Sequence, residues 1–314
     1  DIFRTNWVGD YATPEAFLTN AYGKAVPKKR SEPSYLNSSR YQNSEFDALF
    51  EEGARATDAE TANELFSAAE KLLMEDAVFI ILWYGGLFFQ TFFLHRYAAH
   101  QTFTMSKFWE KTTYVLTWLF QGSNYLSAYG YGVMHRMHHA YADTEQDPHS
   151  PKYDDNVLAM MWRTKSTYKN INSKKIDINE KFTKNVPQWS RFDKFASSYV
   201  SRIIWVALYV LFFLKFATDW WMWLLLPVII LMAPIHGVII NWYAHIYGYV
   251  NFKVKDTSKN LLPVDFLMMG EAYHNNHHKN GSRANFGVKW FEIDPTYIIM
   301  RALHGLRIIR IKIS

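Results

Sequence analysis

The sequence predicts an all-α integral membrane protein whose transmembrane helices carry a cytoplasmic helical cap with a di-metal site. Three observations lead to this prediction: histidines cluster in short boxes, uncharged apolar segments alternate with polar ones, and cysteine is absent. A soluble, α-rich N-terminal fragment precedes this membrane domain.

The composition limits the kind of metal site that the chain can build. It has 12 His and no Cys in 314 residues, which excludes disulfides, thiolate ligands and iron–sulfur clusters. Metal ligands must then be imidazole, carboxylate or water, a set that suits iron, copper or zinc. The net charge is +5, and one central segment between apolar runs, 135–198, is rich in Lys and Arg. That arrangement is typical of a cytoplasmic loop of a membrane protein and argues against nucleic acid as a partner.

Residues 1–77 are polar and contain no apolar run long enough to span a bilayer. We expect one helix over Ser44–Ala54 and a second that begins at a capping box of Thr57 and Glu60. The apolar stripe of the second helix consists of Leu65, Phe66, Ala69, Leu72 and Leu73. Such a stripe needs a partner surface. The chain begins at Asp1 without Met or a signal-like segment, which favours a fragment or a processed product.

Three stretches of this region stand out: Asn6–Pro14, Tyr41–Leu49 and Ala69–Ala77. They resemble the carboxy-terminal part of the extracytoplasmic oligopeptide-binding proteins of ABC importers. The resemblance covers nearly all of 1–77 but only a small part of such a protein, so no closed peptide site can form. We interpret residues 1–77 as a non-functional fragment of solute-binding-protein type, joined to a membrane domain at 78–314.

Beyond Ala77 we count three segments that can span a bilayer, namely 78–94, 203–214 and 220–240. Pro227 and Pro234 should bend the last of them. Residues 112–128 are aromatic but contain polar side chains, which favours an interfacial or buried helix. With three spans all histidine groups lie on one face of the membrane, together with the Lys-rich segment 135–198. The positive-inside rule makes that face cytoplasmic.

Nine histidines form boxes along the chain. They are His95 and His100, then His135, His138 and His139, then the single His245, and finally His274, His277 and His278. Residues three or four apart share one face of a helix, so the triplet boxes can each direct imidazoles to one point. The first pair is five residues apart, and its alignment requires a helix end or a local irregularity. Nine imidazoles are too many for one ion and indicate two metals with four or five ligands each.

A nitrogen-rich pair of redox metals beside an apolar domain suggests oxygen chemistry on a lipid-like substrate. Hydrogen abstraction from an unactivated carbon is beyond acid–base catalysis, so the metals would carry that step. The protein would position the substrate chain and exclude water.

Four stretches connect this site to a family: His95–His100, 135–151, Asn241–Tyr249 and His274–His278. They resemble the histidine boxes of membrane fatty acyl desaturases over about 78–314. The most similar branch is the bacterial-type acyl-CoA enzymes, which insert a double bond near the middle of a saturated chain. The resemblance implies an O2-dependent oxidoreductase of the bacterial inner membrane, with its active site on the cytoplasmic face.

The same resemblance implies that the nine grouped histidines bind two irons and that Asn241 holds one iron through a water. It implies O2 as co-substrate, a long-chain acyl-CoA or related acyl substrate, and a membrane-lipid environment. Electrons would come from a ferredoxin or a small cytochrome with its reductase. Zinc in an overexpressed sample would be an artefact. Many relatives have four spans, whereas we count three.

Other polar residues near the boxes are candidates for supporting roles. Asp143, Asp147 and Glu271 could accept the second N–H of ligand imidazoles, the alternative being ordinary solvated carboxylates. Of the remaining histidines, we assign His149 to a turn or to support of the ligands, His236 to a buried position and His304 to the surface. The sequence predicts no substrate-binding residue.

Two alternatives to a desaturase stay open. The same histidine pattern serves fatty acyl and lipid hydroxylases, in which oxygen is transferred to carbon. A different class is an inert chimera or peptide-binding-protein fragment whose metal site never assembles. Analysis of the reaction product distinguishes a hydroxylase from a desaturase, and the iron content of the purified protein distinguishes an inert chimera from either enzyme.

Overall fold

The computed structural model describes residues 13–29, 32–37, 40–217 and 220–312. Two compact units make up the chain, one of residues 1–80 and 209–226 and the other of residues 81–208 and 227–314. All nine boxed histidines belong to the second unit. The predicted stretch Asn6–Pro14 lies outside the described residues except for its last two positions.

The described chain is mainly helical. Its α-helices are α1 Glu15–Leu18, α2 Ser44–Arg55, α3 Ala59–Phe89, α4 Lys107–Gln121, α5 Ala128–Tyr141, α6 Val157–Asn172, α7 Glu180–Thr183, α8 Ser190–Ala196, α9 Tyr199–Phe216, α10 Leu225–Ile230, α11 Met232–Val238, α12 Ala244–Ile246, α13 His274–Lys279 and α14 Pro295–Gly305. Short 3₁₀ segments cover Thr19–Ala21, Gly23–Ala25, Gly122–Asn124 and Trp220–Leu224. A first π-helix covers Gln90–Ala99 and a second covers Ile239–Tyr243.

The N-terminal unit has a small aromatic core between α2 and the first half of α3. Phe46 and Phe50 of α2 stack with their rings 6.2 Å apart, and Phe50 meets Phe66 of α3 at 5.9 Å. Gly53 faces the same ring, and a Cβ at this position would lie 2.9 Å from it. The buried members of the predicted stripe are Phe66, Ala69 and Leu72. The stripe therefore has the partner surface that it requires.

The start of α3 differs from the predicted capping box. The Asp58 carboxylate accepts a hydrogen bond from the Thr61 N–H at 2.8 Å, so Asp58 rather than Thr57 caps the helix. Asp is the stronger N-cap residue of the two. The helix then continues to Phe89 across the predicted boundary at Ala77. The division into a fragment and a membrane domain stays a prediction.

One helix, α9, is long and apolar enough to cross a membrane. Met222–Ile230 and Met232–Ile246 form a second candidate if they are taken together, although they are bent by 70°. This bend confirms the effect predicted for the prolines. Pro234 has no N–H to donate to the carbonyl of Ile230, and its ring crowds that carbonyl, so the helix breaks between α10 and α11.

The described residues contain one candidate span, or two if the bent pair is one span, rather than the three predicted. The remaining predicted segment, 78–94, forms the end of α3 and the start of the first π-helix, and the side chains of residues 78–80 lie outside the described ones. Its buried apolar side chains include Leu87, Phe89, Phe92, Phe93 and Leu94. From Leu87 onward the segment therefore contributes side chains to the core of the second unit.

The prediction of an all-α fold is also incomplete. Strands β1 (Phe103–Met105) and β2 (Ile309–Ile311) pair antiparallel, and the Lys312 N–H donates to the carbonyl of Thr102 at 2.9 Å. This small sheet attaches the C-terminal segment to the chain directly after the first histidine box.

Two glycines allow α5 to approach its neighbours closely. A Cβ at Gly132 would lie 3.2 Å from the carbonyl oxygen of Ala98 in the first π-helix. A Cβ at Gly130 would lie 2.2 Å from the side chain of Asn172 in α6. Because no side chain intervenes, the second histidine box on α5 comes directly against the first.

Candidate metal centre

The first π-helix aligns His95 with His100. The backbone N–H of His100 donates to the carbonyl of His95 at 3.1 Å, which is the i to i+5 hydrogen bond of a π-helix. The two rings lie 5.0 Å apart. The local irregularity that a five-residue spacing requires is therefore a π-helix.

Five histidines converge in what we call the first group. Its members are His95, His100, His135, His139 and His277, with one ring nitrogen of each within 4.8 Å of all the others. The Nε2 atoms of His95 and His277 are 2.9 Å apart, and those of His139 and His277 are 2.8 Å apart. The group joins the first π-helix to α5 and α13.

The remaining four boxed histidines form the second group. Its members are His138, His245, His274 and His278, again within 4.8 Å. The Nε2 atoms of His245 and His274 are 3.0 Å apart, and those of His138 and His278 are 3.2 Å apart. Helices α5 and α13 each contribute to both groups, so the two groups are adjacent.

The donor set fits two imidazole-ligated metal ions. Metal–nitrogen bonds of about 2.0–2.1 Å place neighbouring ligand nitrogens roughly 3 Å apart. In the first group the Nε2 pairs of His135 with His100 and with His277 are 2.8 and 3.4 Å apart. Lone pairs that face one another at such distances need a shared proton or a cation between them, and a cation serves several nitrogens at once.

The protonation state of the histidines also suits a metal. Burial, and then repulsion by neighbouring histidines, holds the pKa of most of these imidazoles well below 6.5. This holds for His100, His135, His139, His274, His277 and His278. The neutral imidazole is the form that binds metal.

Two of the predicted supporting carboxylates contact the outer nitrogens of boxed histidines. Asp147 lies 2.8 Å from Nδ1 of His138, with both side chains fully buried. Glu271 lies 2.6 Å from Nδ1 of His95. Burial raises the pKa of the Glu271 carboxyl, but His95 and then Arg96 outweigh that effect and hold the pKa below its ordinary value. The Nδ1–H of His138 donates to Asp147, which leaves Nε2 of His138 free for a metal, and Glu271 contacts Nδ1 of His95.

The third predicted carboxylate, Asp143, acts less directly. It accepts hydrogen bonds from the Thr257 N–H at 2.6 Å and from the Ser150 hydroxyl at 2.7 Å. Nδ1 of His245 lies 4.0 Å from Asp143 but only 3.2 Å from the Thr257 hydroxyl. Asp143 therefore holds the segment whose threonine contacts His245.

Sequence reasoning missed Asp256, whose carboxylate lies 3.1 Å from Nδ1 of His278. It occupies a loop between the third and fourth boxes, 22 residues before its partner. No helical spacing connects the two, and an Asp in a polar loop has no distinguishing pattern. Only the folded chain brings them together.

Asn241 lies in the second π-helix, four residues before His245. Its side chain makes no hydrogen bond within the part of the chain that the structure describes. The water-mediated role that the resemblance implies stays a prediction.

The three unboxed histidines lie outside both groups. His149 is buried, and its ring lies 4.3 Å from that of His138. The backbone N–H of His149 donates to the Asp147 carboxylate at 3.0 Å. It therefore belongs to a turn that also covers a boxed histidine. His236 is buried with its ring 4.6 Å from Trp83, and His304 is exposed.

Comparison with protein families now identifies the domain that carries this centre. The model of the family described as fatty acid desaturase matches residues 77–308, a range that includes both histidine groups. The chain belongs to the fatty acid desaturase family. Members of this family are membrane-associated, di-iron-dependent oxidoreductases that act on acyl substrates and use an electron donor.

Curated relatives agree with this assignment. The chain is 31% identical to "Delta-9 acyl-lipid desaturase 2" of Arabidopsis thaliana over 227 residues, which are 71% of this chain and 69% of the relative. It is 28% identical to "Delta-9 desaturase-like 5 protein" of the same plant over 224 residues, 69% of each chain. It is 29% identical to "sn-1 stearoyl-lipid 9-desaturase" of Synechocystis sp. over 213 residues, 67% of this chain and 62% of the relative.

Proposed function

We propose that this enzyme introduces a double bond near the middle of a long-chain fatty acyl group, in an O2-dependent reaction at a histidine-ligated di-iron site. The observation that carries the proposal is the convergence of nine imidazoles into adjacent groups of five and four. When bound, the irons supply O2 activation and hydrogen abstraction from an unactivated carbon.

The residues of the chain have three tasks in this proposal. The Nε2 atoms bind the irons, and burial keeps bulk water from the site. Carboxylates hold the Nδ1 protons and so fix the tautomers, as Asp147 does for His138. The two groups are supported unequally, because in the first group only His95 contacts a carboxylate among the described residues. In the second group, Asp147 and Asp256 contact two of the four histidines.

Iron analysis of the detergent-extracted protein tests the site. We expect about two irons per wild-type chain. His277→Ala should remove iron from the first group and His138→Ala from the second, whereas His304→Ala, an exposed histidine, is the matched control. A folded, iron-supplied wild-type sample without iron would refute the proposal and favour the inert chimera. Zinc in an overexpressed sample would not, because it can occupy the same imidazoles.

The proposed substrate is a long-chain acyl-CoA. A second candidate is an acyl chain on a glycerolipid, because two of the relatives above are named as lipid-linked desaturases. Purified enzyme supplied with reductant and O2 should be given stearoyl-CoA or stearoyl-phosphatidylcholine in parallel. Mass spectrometry of the released chains then shows which head group is used and where the double bond lies. A hydroxylated chain as the main product would instead establish the hydroxylase alternative.

We further propose that the electron donor is a ferredoxin or a small cytochrome with its reductase. We also propose that the protein lies in a bacterial inner membrane with its metal site on the cytoplasmic face. The Lys-rich segment 135–198 supports this orientation. The absence of Cys makes a direct test available. Lys174→Cys places a single thiol on an exposed turn, and it should react with a membrane-impermeant maleimide only after cells are broken. Labelling of intact spheroplasts would contradict the orientation.

A further inference from the structure

Arg96, the residue after His95, is fully buried with 0% of its surface exposed. Its Nη2 lies 2.7 Å from Asp294 and its Nη1 lies 3.1 Å from Glu271. Its Nε donates to the carbonyl of Ala284 at 3.0 Å. The guanidinium carbon lies 3.8 Å from the centre of the Phe286 ring. A side chain that ordinarily seeks solvent is therefore fully enclosed by specific partners.

Glu271 lies between Arg96 and His95 and contacts both. One carboxylate oxygen, Oε1, faces Arg96 and the Thr91 hydroxyl, while the other, Oε2, lies 2.6 Å from Nδ1 of His95. Thr91 also accepts a hydrogen bond from Nη1 of Arg96. The π-helix places Thr91 and Arg96 on one side because they are five residues apart. Arg96 and Thr91 thus hold Oε1 of Glu271 in place, and Oε2 lies next to the His95 ring.

Asp294 connects this arrangement to the C-terminal helix. Its side chain accepts a hydrogen bond from the Tyr297 N–H at 3.0 Å as the N-cap of α14, and another from the Phe286 N–H at 2.9 Å. Two carboxyl groups therefore share one guanidinium in a buried site next to His95.

We propose that Arg96 is a positioning residue for the first histidine group: anchored by Asp294, it orients Glu271 and thereby His95. This inference rests on the proposed function, because it assumes that the first group binds iron. A salt bridge of this kind is weak support for stability alone, since desolvation offsets much of the attraction. Its placement against the outer nitrogen of a boxed histidine gives it a role in metal binding.

The second group offers an internal contrast. The Asp147 carboxylate that contacts His138 accepts hydrogen bonds from the backbone N–H groups of Asp143 at 2.9 Å and His149 at 3.0 Å. Backbone amides, rather than an arginine, orient this carboxylate. A change at Arg96 should therefore weaken the first group and leave the second one unchanged.

The test uses the full chain in detergent, titrated with Fe²⁺ under anaerobic conditions against a chromophoric chelator. Arg96→Lys keeps the charge but loses the planar fork that reaches two carboxylates. We expect about 10- to 100-fold weaker Fe²⁺ binding at the first group. The same substitution in a His138→Ala background, where only the first group is intact, identifies the affected group. Arg202→Lys is the matched control, because Arg202 donates to the carbonyls of Ser123 and Tyr125 away from the histidines.

Thr91→Val, which is nearly isosteric, guards against a variant that does not fold. It removes the hydroxyl between Arg96 and Glu271 and should weaken the first group in the same direction, with a smaller loss. Wild-type Fe²⁺ affinity in both variants would overturn the inference while leaving the proposed function intact. Equal weakening of both groups, together with a lower melting temperature of the metal-free protein, would show a merely structural role. A wild-type chain that binds no Fe²⁺ would overturn the proposed function and this inference with it.

Discussion

The carboxylate of Asp256 provides the sharpest test of how the second group is built. Its Oδ2 lies 3.1 Å from Nδ1 of His278, whereas its Oδ1 accepts the Ser258 N–H at 2.9 Å. In Asp256→Asn a single side-chain oxygen remains. It can accept from Ser258 and preserve the turn, but the amide nitrogen then faces Nδ1–H with a donor.

The magnitude follows from the environment of this pair. The side chain of His278 is 1% exposed and that of Asp256 is 12% exposed, so solvent screens the contact little. A hydrogen bond to a charged group contributes about 1.5–3 kcal/mol. The loss corresponds to roughly 10- to 100-fold in metal affinity, which is also the usual effect of removing such a partner.

The assay is the same anaerobic Fe²⁺ titration, carried out in a His277→Ala background so that the intact second group is observed. Asp155→Asn, an exposed aspartate in the polar segment, is the control. Unchanged affinity in Asp256→Asn would refute the reasoning that the Nδ1 partner sets ligand strength. An equal loss at the first group, measured separately in the His138→Ala background, would show that the turn itself had collapsed.

Three further predictions follow from other parts of the structure. Lowering the pH below about 6.5 should destabilise the metal-free protein, because the folded chain keeps its buried imidazoles neutral while the unfolded chain protonates them. For each such histidine the free energy of unfolding should fall by up to about 1.4 kcal/mol per pH unit. Melting temperatures that stay level between pH 8 and pH 5 would contradict this. Gly281→Val should weaken the first group by about 10-fold or more, because a Cβ there lies 2.9 Å from the His100 ring, and Fe²⁺ titration measures the loss. Gly53→Val should cost about 1–3 kcal/mol of local stability by crowding Phe66, yet iron content and product yield should not change if residues 1–77 are a non-functional fragment; a loss of activity in a folded variant would refute that interpretation.

The sequence by itself was sufficient for the local features of the centre. Spacings of three and four on a helix indicated which histidines act near one another, but the prediction that each triplet converges on one point is wrong, because His274 and His278 lie in the second group and His277 lies in the first. The bend at Pro234 depends on a missing N–H and a clash within one helical turn, so it was predictable too. The resemblance to fatty acyl desaturases, which rests on these local boxes, is confirmed by the family match over residues 77–308.

Tertiary structure alone decided how the boxes combine. The sequence predicted two ions with four or five ligands each, but the assignment of His138 to one group and its neighbour His139 to the other depends on how α5 meets the first π-helix and α13. Asp256 and Arg96 acquire their roles from partners far away in sequence, to which no periodicity points. Local spacing depends on the geometry of one helix, whereas these contacts depend on the path of the whole chain.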